Sequence, residues 1–302
     1  MDDKIAQQMR RGEECADHGV EADRQRILGQ CRHARWLAGD RATDGRSSVN
    51  IPAGEAWARR FAAGDPIGER VAVVVAHPDD ETLWAGALLG RLDDGLLIHL
   101  TDGAPADGAD ARKLGFESRD AYAAARAAEL ETALAALGYC GARKGYRVRD
   151  QEVVTALDAV IERLTADLAG AAVVVTHPYE GGHPDHDAAA LAVRRAADGV
   201  GAAVVEFACY HKREGERVFG AFWPGSAERT RLLSPAESAR IDAALCAHAS
   251  QAHVFGLWRP ADERWRAAPA YDFAARPPPD AALYDDYGWT MTTGRWRDIA
   301  AW

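Results

Sequence analysis

The chain has 302 residues, 48% hydrophobic and 27% charged, an ordinary globular mixture with enough apolar side chains for a sizeable core. Its formal net charge of -10 argues against a nucleic-acid or anionic-membrane partner, since both ask for a basic face. There is no apolar run of about 18 residues and no secretory stretch at the start, so a cytoplasmic protein without a membrane span is expected. The five cysteines (Cys15, Cys31, Cys140, Cys209, Cys246) are scattered, form no CxxC pair and read as reduced thiols.

Residues 1–60 are polar and Arg-rich, with weak helical periodicity from Val20 to Leu37. They read as an N-terminal extension packing on a single domain that spans 61–302. Val71–Ala76 is a continuous apolar, β-branched run, as expected of a strand buried on both faces of a parallel sheet. Asp80–Leu92 reads as a helix and Leu96–Gly103 as the next strand, stopped at Asp-Gly. Ser118–Gly138 is an Ala/Leu/Glu helix with a glycine stop, and Gln151–Gly170 is another helix. Ala171–Pro178 is a third strand, Pro184–Gly199 a helix and Ala202–His211 a fourth strand. Ser234–Gln251 is a helix, with Glu237 at capping-box distance from Ser234. The tail from Trp258, rich in Trp, Pro, Tyr and Arg, reads as irregular chain wrapping the domain. Alternation of strands and helices argues for βαβ units and an α/β fold, a mostly parallel sheet under helices.

Such sheets place ligands outside the carboxyl ends of their strands. Two predicted strands end in histidine-rich loops there, "AHPDDE" (Ala76–Glu81) and "HPYEGGHPDH" (His177–His186). Both run from an apolar strand through His-Pro and acids into a helix. His77 and Asp80, three apart across a strand end and a helix start, are placed to reach one point. With one ligand from the second loop they make a His₂-carboxylate set that leaves positions open for water and substrate, the pattern of a catalytic zinc site. Asp79, between the two, is then the candidate general base. The plain alternative, acids complementing a helix dipole, leaves His77 unexplained.

The pair "AHPDDE" and "GGHPDH" resembles the PIG-L/LmbE-like family of zinc-dependent N-deacetylases. The resemblance spans roughly residues 70–255 and includes "TDG", "AARAAELETALAALG" and "AHASQ". It implies a Rossmann-like three-layer fold, with one Zn²⁺ held by His77, Asp80 and His186 (other divalent ions are compatible) and Asp79 as the base. It further implies His183 as a protonated imidazole for the oxyanion or leaving amine, and Asp185 as the group orienting a histidine. The implied substrate is a small N-acetylated amino sugar or glycoconjugate, cleaved to acetate and free amine, with a homo-oligomer left open.

For substrate contact, Asp102 is either a sugar-hydroxyl ligand or an Asp-Gly turn residue. Arg126 either lines the pocket or pairs with Glu129. His177 is a pocket-lining, supporting or purely structural histidine. Rival functions are a zinc amidase for a non-sugar amide or thiol conjugate, and a non-catalytic carbohydrate-binding protein. A dinucleotide site is set aside because no G-x-G-x-x-G follows the first strand.

Overall fold

The structure is a computed structural model that describes residues 52–302 apart from 226, 257, 278–281, 301 and 302. The N-terminal extension thus lies outside the described residues except for its end. From Ala53 to Ala63 that end forms helix α1, which buries Ala58 and Phe61.

Seven strands make one sheet in the order β3-β2-β1-β4-β5-β9-β8. β1 (Val71–Val75), β2 (Gly95–Pro105), β3 (Ala142–Asp150), β4 (Val173–Thr176) and β5 (Ala203–Phe207) run parallel. β8 (Arg229–Leu232) and β9 (Asp262–Ala267) close one edge antiparallel. The pleat splits β1 between two cores. Val71, Val73 and Val75 join a cluster with Phe61, Leu88 and Leu134, while Ala72 and Val74 join one with Leu164, Leu191 and Trp296. Both faces are therefore covered, which is why the run is apolar without alternation.

One layer of helices holds α1, α2 (Asp80–Leu89), α4 (Arg119–Leu137) and α7 (Pro235–Ala247). α5 (Leu157–Asp167), α6 (Pro184–Val200) and α9 (Thr293–Ala300) make the other. α3 (Ala109–Lys113) and α8 (Ala252–Phe255) are short, and β6 (Tyr210–Arg213) pairs with β7 (Glu216–Phe219) in a separate hairpin. The expected α/β fold with a mostly parallel sheet flanked by helices is what forms. The capping box at Ser234 and Glu237 is present in both directions.

One strand was not anticipated and two expectations are corrected. "ARKGYRVRD" forms edge strand β3, although it is mostly exposed and charged and carries no apolar signal. The tail is not all irregular, because β9 enters the sheet between β5 and β8. Its charges are absorbed on arrival: Arg266 pairs with Glu206 and Glu180, and Glu263 accepts the amide of Ala87 at 2.7 Å. Cys140 and Cys246 are disulfide-bonded rather than reduced, whereas Cys209 is a buried free thiol. Among the described residues no helix is long and apolar enough to cross a membrane.

Candidate active site

β1 lies between β2 and β4, so the chain leaves the sheet centre in opposite directions and opens a crevice at the carboxyl ends of β1 and β4. Both His-Pro loops start there.

In the first loop Asp79 takes φ 145° and ψ -27°, a conformation that costs an L residue about 1–3 kcal/mol. Several contacts hold it. Its amide donates to Glu81 Oε2 at 3.0 Å, and its carbonyl accepts the amides of Thr82 and Leu83, both at 3.0 Å. Arg126, from α4, donates to Asp79 Oδ2 at 3.1 Å and to the carbonyls of Pro78 and Gly103. Gly103 has to be glycine, since a Cβ there would stand 2.3 Å from the Arg126 guanidinium. Burial raises the Asp79 carboxyl to about 6 against the pull of Arg126.

Beneath the loop, Glu81 is wholly buried. It meets His99 Nε2 at 2.9 Å and His248 Nε2 at 3.5 Å, and accepts the Thr82 hydroxyl at 2.7 Å. Those two histidines hold its carboxyl below the usual range despite burial.

The second loop is organised as a helix start. His183 is the N-cap of α6, Pro184 occupies the first turn, and the Asp185 amide donates to His183 Nδ1 at 3.1 Å. Accepting that hydrogen leaves His183 as the Nε2–H tautomer. Burial and the neighbouring His77 hold it well below the usual histidine range. With Nδ1 accepting that hydrogen, Nε2 is the nitrogen left to donate. The Asp185 carboxylate reaches sideways and accepts the amides of Gln151 and Val153 at 2.6 and 3.0 Å, tying the end of β3 to α6.

The two loops bring three groups together. His77 Nδ1 lies 3.2 Å from Asp80 Oδ2, His186 Nε2 lies 3.3 Å from Asp80 Oδ1, and the two ring nitrogens are 3.3 Å apart. Four ligands at about 2.0–2.1 Å in a tetrahedron have edges of about 3.3–3.4 Å. On its far side His77 Nε2 faces Asp150 Oδ1 at 3.1 Å and Asp185 Oδ2 at 3.4 Å, carboxylates that take its N–H and leave Nδ1 as an acceptor. Acceptors thus converge on one point, and a cation there relieves their repulsion. The ring nitrogens of His77, His183 and His186 also lie within 4.8 Å of one another. This buried His/Asp cluster is able to hold a metal ion.

Residues 72–197 match the family model of PIG-L, the GlcNAc-PI de-N-acetylases. The chain carries a PIG-L domain. The enzyme class expected from the paired motifs, a hydrolytic N-deacetylase, is the class of that family. Solved structures share the fold. The A40926 pseudoaglycone deacetylase Dbv21 aligns with a TM-score of 0.53 at 18% identity, covering 67% of this chain and 99% of that one. A deacetylase–teicoplanin complex from the teicoplanin pathway aligns at 0.52 and 15% identity, over 67% and 100%. The zinc-inhibited form of teicoplanin deacetylase Orf2 aligns at 0.51 and 16% identity, over 67% and 99%. Among curated proteins no relative matches.

Within and beside the PIG-L domain, the three side residues make contacts within the protein. Asp102 is engaged by Arg119 and caps the amide of Ala104, so it serves the Asp-Gly turn. Arg126 pairs with Asp79 rather than with Glu129, whose carboxylate holds Ser250. Its other partners are carbonyls, which makes it a brace for the loop. His177 has no exposed surface and stands behind the cluster, with its Nε2 3.4 Å from Asp80 Oδ2. It accepts the Ala76 amide and stacks on His186 at 3.9 Å.

Four participants were not singled out as site residues in the sequence. Asp150 ends the charged edge strand, His99 sits inside an apolar one, and His248 caps a distant helix. Cys209, 3.5 Å from His186 Nδ1, follows β5. Each reaches the site only through the sheet order.

Proposed function

We propose that the chain is a metal-dependent N-deacetylase that hydrolyses the acetamide of an N-acetyl amino sugar or glycosylated metabolite to acetate and a free amine. The observation that carries this reading is the cluster of His77, Asp80 and His186, in which the two imidazole nitrogens lie 3.3 Å apart and each lies 3.2–3.3 Å from one oxygen of the Asp80 carboxylate, beside the strained Asp79. The donor set fits zinc: two imidazole nitrogens, one carboxylate and a supporting acid on the histidine. A bound ion of this kind polarises the acetyl carbonyl and lowers the pKa of water to about 7.

The chain's own groups do the rest. Asp79, oriented by Arg126, takes a proton from the attacking water as its oxygen bonds to the acetyl carbon. His183, neutral and fixed by the Asp185 amide, directs its Nε2–H at the developing oxyanion. Because His183 has no second proton to give, Asp79 returns the one it took to the leaving nitrogen as the C–N bond breaks. Asp185 acts through others, by setting the His183 tautomer and tying down the Asp150 loop.

The test is acetate release from a panel of N-acetylated sugars and non-sugar amides, with the enzyme zinc-loaded and then chelated. Release from sugars that stops on chelation is expected. Release only from non-sugar amides overturns the substrate class. Asp79→Asn is expected to lower turnover about 10³-fold with metal content unchanged, and near-normal turnover would remove Asp79 from the role of base.

A further inference from the structure

The PIG-L match ends at residue 197, yet one wall of the site is built by chain far beyond it. The segment from Leu283 to Ala300 is tied to the second His-Pro loop at three places. The Leu283 amide donates to the Gly181 carbonyl at 2.7 Å, the Tyr284 hydroxyl to Asp187 Oδ2 at 3.0 Å, and Trp296 Nε1 to the Pro184 carbonyl at 3.2 Å. Asp285 accepts the amide of Thr293 at 2.7 Å, closing the intervening turn on itself. From the other side, hairpin β6–β7 reaches this turn: Lys212 pairs with Asp286, and Arg217 bonds the Tyr287 hydroxyl. The hairpin is close to the loop because Gly182 allows it, since a Cβ there would stand 2.1 Å from the Tyr210 carbonyl.

This framing leaves two aromatic rings at the rim. Trp289 is half-buried and stands edge-on to the His183 ring at 5.1 Å, with an interplanar angle of 66°. Tyr287 follows 4.8 Å from Trp289 and is 40% exposed. Neither joins a hydrophobic core cluster. Anchors on both sides therefore hold two large rings where their burial is incomplete, the first of them against the imidazole beside the reacting amide. Aromatic faces in that position suit the C–H face of a pyranose, offering apolar area at little cost in ordering because the turn is already braced.

We propose that Trp289 and Tyr287 form the platform on which the sugar of the substrate lies, Trp289 under the N-acetylated ring and Tyr287 under the unit attached to it. The C-terminal segment then selects the glycoside, while the PIG-L domain supplies the hydrolytic groups. This inference rests on the deacetylase reading.

The experiment compares the full-length, zinc-loaded protein with Trp289→Ala, Trp289→Phe and Tyr287→Ala on three substrates. These are a methyl N-acetylglucosaminide, the corresponding disaccharide and the acyclic amide N-acetylethanolamine. Trp289→Ala is expected to raise KM for both glycosides about tenfold with kcat nearly unchanged and the acyclic amide unaffected. Trp289→Phe should restore most of the loss, and Tyr287→Ala should act on the disaccharide alone.

An equal loss on glycosides and acyclic amide would show that Trp289 only supports His183, and unchanged KM values would remove the platform altogether. Should the wild type hydrolyse none of the three, the deacetylase reading fails by itself. Binding of glucosaminide, followed by calorimetry, then decides the platform: weaker binding in Trp289→Ala upholds it and equal binding ends it.

Discussion

The two His-Pro loops are written alike and held differently. The first is braced by buried charge. Glu81, His99, His248 and Arg126 surround Asp79 with charges and hydrogen bonds, and the backbone they hold is strained. The second needs no strain, because His183 and Pro184 start a helix in an ordinary way, and it is held by hydrogen bonds from two neighbouring segments. β3 reaches it through Asp185, and the C-terminal segment reaches it through Gly181, Pro184 and Asp187. A proton-transferring group needs an exact, costly position, so the charges that fix it are buried with it.

Four measurements bear on this contrast. The largest effect belongs to the first loop. Glu81→Gln removes the charge that pairs two buried histidines and should destabilise the protein by about 4 kcal/mol in denaturant unfolding. A loss under about 1 kcal/mol would mean that the first loop is not charge-braced.

Next is the helix behind that loop. α2 leaves helical geometry at Ala85, and Glu263 accepts the amides of Ala87 and Leu88 just beyond the break. Burial lifts the Glu263 carboxyl to about 7, above its unfolded value of about 4.3. The unfolded chain then binds fewer protons between those values. The stabilising contribution is complete below about pH 4 and lost as pH rises through about 7. Glu263→Gln should flatten that part of the stability–pH curve by about 3 kcal/mol, and an unchanged slope would assign the titration elsewhere.

The third concerns the ligand from the second loop. With His186 Nε2 at the metal, its Nδ1–H is directed at Cys209, so Cys209→Ala should weaken zinc binding about 10-fold, read by competition with a chelating dye. Unchanged affinity would leave Cys209 as packing.

The smallest is Tyr284→Phe, which deletes one hydrogen bond of the strap and should cost about 1 kcal/mol in thermal unfolding. If it costs as much as Glu81→Gln, the second loop is braced as tightly as the first and the contrast falls.

How much of this was legible follows from the kind of signal each feature leaves. A strand buried on both faces must be apolar, so β1 and β4 are plain in "VAVVVA" and "AAVVVT". Helix starts depend on side chains within four residues, so Ser234 is readable as a cap. The same locality makes His77, Asp79 and Asp80 readable as one group, and the shared layout of the two loops joins His186 to them. β3 left no trace, because an edge strand with a solvated face has no need of apolar residues.

By itself, then, the sequence determined the α/β plan and the grouping of His77, Asp79, Asp80 and His186, since short-range spacing dictates which groups can point to one place. Only the tertiary structure decided how those groups are used. It turned His183 into a neutral donor through the Asp185 amide, made Arg126 the brace of Asp79, brought Asp150 behind His77 and set Trp289 beside His183. Apart from the local cap at His183, each of those contacts depends on the order of strands in the sheet or on the return of the tail. A proton's position or an ion pair's partner is settled by neighbours in space, and spacing along the chain does not record them.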